Sequence, residues 1–246
     1  MRVIKKILMV LIVVLIGPIL VVACGKVNIS SDWRNADRSP QGIAPDVRLE
    51  PRAVVQVYAA RAFSWRGIFA VHTWLAVKPA GGSAYTVHQV VGWREWQDLP
   101  VVVSQEDAPD RAWYGNAPEL LLDIRGEQAS LLIPKITKAV LSYPYRDSYT
   151  LWPGPNSNSF VAHVAREVPD LKLVLPTTAI GKDYLNGGAP LGRAPSGTGW
   201  QVSLFGLAGV IFAREEGLEL NILTANFGFE PWPIALKLPG IGRIGF

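Results

Sequence analysis

The fold is decided by the stretch Trp152-Pro-Gly-Pro-Asn-Ser-Asn-Ser-Phe160, which runs on into Val161-Ala-His-Val-Ala-Arg-Glu-Val168. Two prolines and a glycine predict a rigid turn, and the polar residues that follow it are all good helix N-caps. Apolar residues then recur at helical spacing, and Pro169 predicts the end of the helix. The stretch therefore predicts a tight turn that places a small polar residue at the N-terminus of a buried helix.

The start of that helix is a candidate for nucleophilic chemistry. A residue there feels the positive end of the helix dipole and lies among free backbone N–H groups. A nucleophile and an oxyanion hole can therefore coexist at this point. We predict Ser157 as the nucleophile, with Asn156 and Asn158 in the oxyanion-binding turn. The simpler alternative is that these residues, Ser157 among them, only cap a core helix.

The N-terminus has the pattern of an export signal. A short basic region, residues 1–6, precedes the almost wholly apolar residues 7–23, a length that fits a signal-peptide core or a single anchor. The run ends in Leu20-Val-Val-Ala-Cys24, which resembles a bacterial lipobox, and Cys24 is the only cysteine. We predict a lipoprotein lipidated on Cys24; the alternatives are an uncleaved membrane anchor and a chance match.

Charge and cysteine usage describe the exported part. Gly25 carries no inner-membrane retention signal of the Asp type, so we expect the outer membrane, facing the periplasm, in a cell that has one. Cleavage before Cys24 would remove Arg2, Lys5 and Lys6 and lower the formal net charge from +4 to about +1. The body therefore gives no electrostatic case for nucleic acid. With no second cysteine it has no intramolecular disulfide and depends on its core.

The rest of the chain reads as mixed α and β structure. β-branched and aromatic residues predict strands at 53–60, 68–77, 84–93, 100–105 and 119–124. Helical spacing over 127–143 predicts a helix that Pro134 kinks or restarts. The loop-rich residues 171–199 predict a segment that shapes a site or is mobile. Further strands are predicted at 202–205, 210–214 and 218–223, and the proline-rich end, Phe229-Glu-Pro-Trp-Pro233, is predicted to pack on the domain.

Familiar motifs for metals and cofactors are missing. The three histidines, His72, His88 and His163, form no zinc-binding spacing, so we predict no metal. Gly240-Ile-Gly-Arg-Ile-Gly245 matches a dinucleotide-binding pattern only by its letters, because no helix can follow it. There is no Gly-x-Ser-x-Gly elbow and no Walker loop, so we predict no cofactor.

His72 is the candidate base. It lies in the middle of an apolar strand, where an imidazole is either a hydrogen-bonded core residue or a functional group. A serine hydroxyl needs such a base, and a third group usually orients the imidazole. Gln89 or His88, on the partner strand, could supply that group. His163, six residues beyond Ser157, is predicted to be structural.

The order of these parts resembles the circularly permuted papain-like folds, namely the permuted NlpC/P60, lecithin-retinol-acyltransferase-like and deSUMOylating-isopeptidase-like families. In those families a strand histidine precedes a helix that opens Asn-Cys-x-x-Phe. Here His72 matches the histidine, and Asn156-Ser-Asn-Ser-Phe160 puts Ser157 on the family cysteine. The resemblance implies acyl transfer or amide hydrolysis. A serine hydroxyl is harder to activate than a thiol, so a Ser–His hydrolase, a pseudoenzyme and a scaffold all remain open.

A second resemblance covers nearly the whole chain. Phe69-Ala-Val-His-Thr-Trp74, together with the Trp-Pro-Gly-Pro-Asn-Ser-Asn turn, is similar to a bacterial domain-of-unknown-function family, number 3750. That resemblance implies no activity.

These observations combine into one prediction. We expect an α+β fold, a permuted papain-like antiparallel sheet packed on helices with a C-terminal β extension. Its parts are a signal peptide or anchor (1–23), a lipidated cysteine and tether (24–52), the core (53–190) and the extension (191–246). The expected function is a membrane-anchored envelope lipoprotein with a Ser/His hydrolase-like site acting on a cell-wall peptide or lipid. Candidate cleft residues are Trp74, Trp152, Lys182 and Asp183.

Two other functions stay open. The first is a non-catalytic envelope binding or scaffold lipoprotein, in which Ser157 is only an N-cap. The second is a ligand-binding domain, which predicts a closed apolar pocket formed by residues 176–190.

Overall fold

A computed structural model describes residues 15–25, 27 and 32–245, so residues 1–14 of the predicted export signal lie outside the described part of the chain. The fold is α+β and contains two antiparallel sheets. Residues 15–23 are helical, and among the described residues no helix combines the length and apolar character needed to cross a membrane.

The first sheet has five strands in the order β4-β3-β2-β1-β5. Three of the five predicted strands agree with the structure to within two residues at each end. The third was predicted to reach residue 93 but ends at Val90, because Gly92–Gln97 form a 3₁₀ turn. The second begins later than predicted, because residues Ser64–Ile68 form a 3₁₀ helix. The strands are β1 (Val54–Arg61), β2 (Val71–Lys78), β3 (Thr86–Val90), β4 (Val102–Glu106) and β5 (Glu119–Arg125).

Two helices cover one face of this sheet. They are α1 (Glu127–Leu141) and α2 (Ser157–Glu167). Pro134 was predicted to kink or restart α1, but it lies inside one continuous helix. The apolar faces of both helices pack on alternate residues of β1 and β2, such as Val57 and Leu75. This core therefore places the N-terminus of α2 against β2.

The other face of the first sheet has its own apolar cluster. Tyr58 and Trp74 are buried there, and Ile43, Val47 and Trp113 pack over them. Residues 24–52 were predicted to be a tether, but Ile43 and Val47, which belong to this range, pack against the sheet. Further 3₁₀ turns are Gly92–Gln97, Pro169–Leu171 and Asn186–Gly188.

The second sheet is a meander of seven strands, each paired with its neighbour in sequence. Three of its strands lie where they were predicted. The proline-rich end was predicted only to pack on the domain; its residues Phe229 to Pro231 end one further strand, and Trp232-Pro233 turns the chain into the next. The strands are β6 (Leu191–Arg193), β7 (Gly199–Leu204), β8 (Ala208–Ala213), β9 (Gly217–Ile222), β10 (Ala225–Pro231), β11 (Ile234–Leu238) and β12 (Gly242–Gly245).

Candidate functional site

The first turn of α2 is held by a capping box. Asn156 Oδ1 accepts hydrogen bonds from the backbone N–H groups of Asn158 and Ser159, at 3.0 and 3.2 Å. In return, Ser159 Oγ accepts one from the Asn156 N–H at 2.7 Å. The N-cap is therefore Asn156, and the alternative that Ser157 caps the helix is wrong. Ser157 is the first helical residue; it is buried, and its Oγ makes no hydrogen bond with a described residue.

The two asparagine amides are bound to the backbone. The Nδ2 atoms of Asn156 and Asn158 both donate to the Ile180 carbonyl oxygen, at 3.1 and 2.7 Å. Asn158 Nδ2 also donates to Val71 O at 3.0 Å. The loop comes so close that a Cβ on Gly181, whose φ is +105°, would lie 2.3 Å from Asn156 Oδ1. The backbone N–H groups of Asn156 and Asn158 are taken by the capping box, and both side-chain amides are bonded to carbonyls, so neither residue of the predicted oxyanion-binding turn offers a free donor.

His72 and its neighbour Thr73 point to opposite faces of the first sheet, as successive strand residues do. Thr73 Oγ1 donates to Asn158 Oδ1 at 2.9 Å, so Thr73 faces α2. His72 lies on the other face, with Trp74. Among the described residues, no hydrogen bond joins His72 to Ser157.

The edge of β2 beside His72 is left open by β3. The described pairing of β2 with β3 covers only Leu75–Val77 of β2. Ahead of it, the Val71 carbonyl accepts the Asn158 amide, and the Val71 N–H donates to Thr178 O at 3.0 Å. The start of α2 and the loop after it therefore replace β3 along this half of β2. The first turn of α2 thus lies alongside the backbone of His72.

The His72 imidazole is held by a hydrogen bond and by ring stacking. Its Nε2 lies 3.3 Å from Gln89 Oε1, and its ring stacks on Trp113 with centroids 3.6 Å apart. Burial lowers the pKa of His72 to about 3, although the bond to Gln89 opposes the shift. The imidazole is therefore neutral at neutral pH. Because an amide oxygen only accepts, the proton is assigned to Nε2, which leaves the lone pair on Nδ1.

Of the two candidates for orienting His72, the structure places Gln89 in contact with it and His88 elsewhere. His88 pairs with Leu75 on the face that α1 and α2 cover. Its Nδ1 lies 2.7 Å from Ser104 Oγ, and its Nε2 is buried with no described partner. Burial lowers the pKa of His88 to about 4. His88 is therefore not the orienting group, because strand alternation puts it on the wrong face.

His163 has the structural role predicted for it. Its Nε2 lies 3.1 Å from the Ala139 carbonyl oxygen and 3.2 Å from Ser142 Oγ, and its Nδ1 lies 2.7 Å from Asn186 Nδ2. Burial lowers its pKa. The ring joins α2 to the end of α1 and to a loop, away from the first turn of α2.

Lys182 and Asp183 do not line a cleft. Both are buried, and Lys182 Nζ lies 2.5 Å from Glu219 Oε2 on the second sheet. Burial pulls the pKa of Lys182 down, but the carboxylates of Asp183 and Glu219 outweigh it and leave this pKa raised. Asp183 Oδ2 accepts from Asn226 at 3.0 Å. The cleft prediction is wrong because adjacent charged residues in a loop are usually exposed to solvent. Here Lys182 pairs with Glu219, and Asp183 accepts from Asn226, both on the second sheet.

The two candidate cleft tryptophans differ. Trp74 is buried, and its Nε1 donates to Pro109 O at 2.7 Å. Trp152 is half exposed, and its Nε1 donates to Thr224 Oγ1 at 2.8 Å, which ties the turn before α2 to the second sheet. The aromatic residue that covers His72 is Trp113, which sequence analysis missed. It lies in a loop with no local pattern, and one of nine tryptophans carries no positional signal.

Cavities lie away from the predicted site. An open cavity of about 550 Å³ has Pro40, Tyr85, Asp110 and Arg111 among its lining residues. A narrow apolar gap lies inside the core between the first sheet and the helices. Neither involves residues 176–190, so they do not support the predicted apolar pocket there.

Comparisons with known proteins give one match. A family model described as "Protein of unknown function (DUF3750)" matches residues 52–184. This range holds β1 to β5, both helices, the turn before α2 and the loop that receives its asparagines. No curated protein and no solved structure matches the chain.

Proposed function

This chain belongs to the DUF3750 family, and we propose that it is a cell-envelope lipoprotein with a Ser/His hydrolase-like site. The observation that carries the proposal is the fixed His72 imidazole, with Nε2 on Gln89, Trp113 on its face and the first turn of α2 beside its backbone. The reaction class is hydrolysis or transfer of an acyl group or amide. The substrate class is a cell-wall peptide or a lipid, which fits the proposed compartment.

The chemistry follows from the ring tautomer. Nδ1 of His72 carries the lone pair. For catalysis the imidazole, which lies on the sheet face opposite α2, would turn round the open edge of β2 so that Nδ1 takes the proton of the Ser157 hydroxyl as Oγ bonds to the substrate carbonyl carbon. The imidazolium would then give that proton to the leaving amine or alcohol as the old bond breaks, and water would release the acyl group by the same route. The Ser157 N–H, which has no described partner, would donate to the oxyanion.

The finer fold proposal is a permuted papain-like domain. It is supported by the order of parts along the chain: a histidine strand, further antiparallel strands, a helix, a turn, and a second helix that opens Asn-Ser-Asn-Ser-Phe. Membrane attachment through Cys24 is supported by the lipobox-like sequence and by the exposure of this cysteine directly after the helical residues 15–23.

A second candidate, a non-catalytic binding or scaffold protein, is favoured by a different observation. At the start of α2, Asn156, Asn158 and Ser159 all serve the cap or the neighbouring backbone. Thr73, and not His72, is the strand residue bonded to that helix. A base whose pKa is lowered this far also has little driving force for proton abstraction near pH 7.

A serine-reactive probe separates the two candidates. The full-length protein, in mild detergent, would be treated with a fluorophosphonate and its labelled peptide mapped. The catalytic proposal expects labelling at Ser157 that is lost in Ser157→Ala and much reduced in His72→Gln. Ser130→Ala, an exposed serine on α1, is the matched control and should label like the parent.

Turnover is the second readout. Release of acyl or amide products from envelope lipids and cell-wall peptides would be followed for the same variants. If folded Ser157→Ala kept every activity and all labelling of the parent, the catalytic proposal would be wrong and the scaffold function would stand.

A further inference from the structure

The second sheet turns its more polar face towards the rest of the domain and its apolar face outward, which is the reverse of the usual arrangement. Its strands alternate, and most residues facing the domain on β7, β9 and β11 are polar or charged, including Gln201, Ser203, Glu219, Asn221 and Lys237. Ile211, Ala213 and Ala235 are apolar residues on the same face. The residues facing away on β7 to β11 are apolar, and on the edge strand β6 Arg193 lies opposite Trp200 with its guanidinium 4.3 Å from the centre of that ring. Exposed apolar residues on this outward face are Leu191, Trp200, Val202, Leu204, Val210, Phe212, Leu218, Leu220, Ile222, Phe229, Ile234 and Leu236.

The strand register makes this outward face continuous. Trp200 lies opposite Phe212, Phe212 opposite Leu218, and Leu218 opposite Phe229. Along β7 to β11 no outward position carries a charged residue. An antiparallel sheet with one solvated face normally puts its polar side chains on that face. A contiguous apolar surface of this kind marks an interaction site.

Buried ion pairs fix the orientation of the sheet. Glu219 lies between Lys182 of the domain and Lys237 of β11, with N–O distances of 2.5 and 2.7 Å. Lys237 is also paired with Glu230 at 2.7 Å. Turning the sheet over would leave Lys182 buried without Glu219, and the outward face of β7 to β11 has no acidic residue to replace it, so these ion pairs favour the orientation with the apolar face outward.

The N-terminal apolar segment ends at the rim of this same sheet. Gly17 lies so close to the turn between β11 and β12 that a Cβ there would sit 1.9 Å from Pro239 O. A Cβ on Gly240 would lie 2.8 Å from Pro18. The outer side of the segment is apolar too, with Leu15, Ile16, Ile19, Leu20 and Val22 exposed.

We propose that the outward face of the second sheet rests on a lipid bilayer. In the uncleaved chain the apolar segment contacts the turn between β11 and β12 through Gly17 and Pro18, so a bilayer that holds this segment lies next to the face. The outward face would add its apolar residues to that attachment, with Trp200 and Trp232 exposed and suited to the headgroup level. A second copy of the chain is the competing occupant.

Spin labels on the full-length protein test the proposal. The background carries Cys24→Ser, which removes the only native cysteine and with it cleavage and lipidation, so the retained apolar segment 7–23 is the anchor. The protein is reconstituted in vesicles of phosphatidylethanolamine and phosphatidylglycerol. Leu220→Cys places a label at the centre of the face. Leu131→Cys, an exposed leucine on α1, is the matched control. Collision rates with oxygen and with a water-soluble nickel complex give the depth of each label.

The proposal expects the label at position 220 to lie about 5–10 Å below the phosphate level, as for interfacial amphipathic elements. The label at position 131 should stay in water. Val202→Cys, in the same cross-strand row, repeats the measurement if the first variant does not fold. Equal nickel accessibility at positions 220 and 131 would overturn the proposal. Dipolar broadening at 220 with no change in depth would also overturn it, because a second copy would then cover the face.

Discussion

Replacing Lys182 by methionine tests how the second sheet is held. Lys182 Nζ lies 2.5 Å from Glu219 Oε2 and 3.4 Å from Asp183 Oδ1, and all three side chains are buried. Lys182→Met keeps the length of the side chain and removes its charge. Glu219 would then share its negative charge with Lys237 alone.

The size of the effect follows from burial. Removing one partner of a buried ion pair costs about 3–5 kcal/mol, because a charge is left without compensation in a poorly solvating interior. We expect the lower end, about 3 kcal/mol, because Glu219 keeps Lys237 and Asp183 keeps its bonds to Gln201 and Asn226.

Urea unfolding of the full-length protein in mild detergent, followed by tryptophan fluorescence, measures this loss. Burial raises the pKa of Glu219, but Lys182 and Lys237 outweigh it, so this pKa is lowered in the parent. Without Lys182 the folded-state pKa of Glu219 rises, and folded Lys182→Met takes up a proton at a higher pH than the folded parent does. Its deficit should therefore be largest near pH 7 and shrink as the pH falls.

The control is Lys182→Met combined with Glu219→Gln. This pair removes both charges and should recover most of the lost free energy of unfolding. A loss below about 1 kcal/mol in Lys182→Met would refute the reasoning, since a surface ion pair would cost no more. So would a double variant no more stable than the single one.

Four further predictions concern the first sheet and α2. Asn156→Ala should lower the free energy of unfolding by about 1–2 kcal/mol, whereas Ser157→Ala, which is not a cap, should cost clearly less; equal losses in urea unfolding would contradict the assigned cap. Nitrogen-15 NMR should show His72 neutral, with its proton on Nε2 beside Gln89, from pH 8 down to about pH 4, because its pKa is about 3; a titration near pH 6.5 would contradict this. Between about pH 6.5 and pH 3 the unfolded state binds a proton at His72 and the folded state does not, so the stability that His72 contributes is complete above about pH 6.5 and is lost as the pH falls towards 3. His88 and His163 lose stability in the same direction, so the loss between pH 7.5 and 5 should be smaller in His72→Gln than in the parent by about 2 kcal/mol. Trp113→Leu should let water reach the imidazole and raise the pKa of His72 towards its ordinary value, and an unchanged titration curve would show that Trp113 does not shield it.

Local patterns predicted the helix after the turn and most strands of the first sheet, because its residues are apolar where they meet the core. The cap was harder to assign. Four consecutive residues, Asn156 to Ser159, all have cap chemistry. Which of them is the cap depends on a tertiary contact. The Ile180 carbonyl oxygen, in the loop after α2, accepts hydrogen bonds from both asparagine amides and so fixes their positions.

The pair around His72 shows the same limit. The sequence left open whether Gln89 or His88 orients the His72 imidazole, because the register of the hairpin was uncertain by a residue or two. One residue of register moves a side chain to the other face. The observed register puts Gln89 on the face of His72 and His88 on the face of the helices.

In the second sheet, the sequence from Leu218 to Ile222 showed alternating apolar and polar residues, but it did not show which of the two faces meets the domain. Period-two patterns separate two faces without saying which one meets the domain. Burial of the apolar face is the usual expectation, and here Lys182 reverses it by pairing with Glu219. The charges of the domain therefore decide which way this sheet faces.

The contact between Gly17 and Pro239 also has a consequence in time. The two residues lie near opposite ends of the chain, so translation finishes the first long before it reaches the second. At 5–20 residues per second, roughly 10–45 s separate them. During that interval the apolar segment cannot contact Pro239 and is available to the factors that bind nascent chains. In the uncleaved chain the segment can contact the turn between β11 and β12 only after the last residues have been made. Its delivery to the membrane therefore comes before the second sheet has folded.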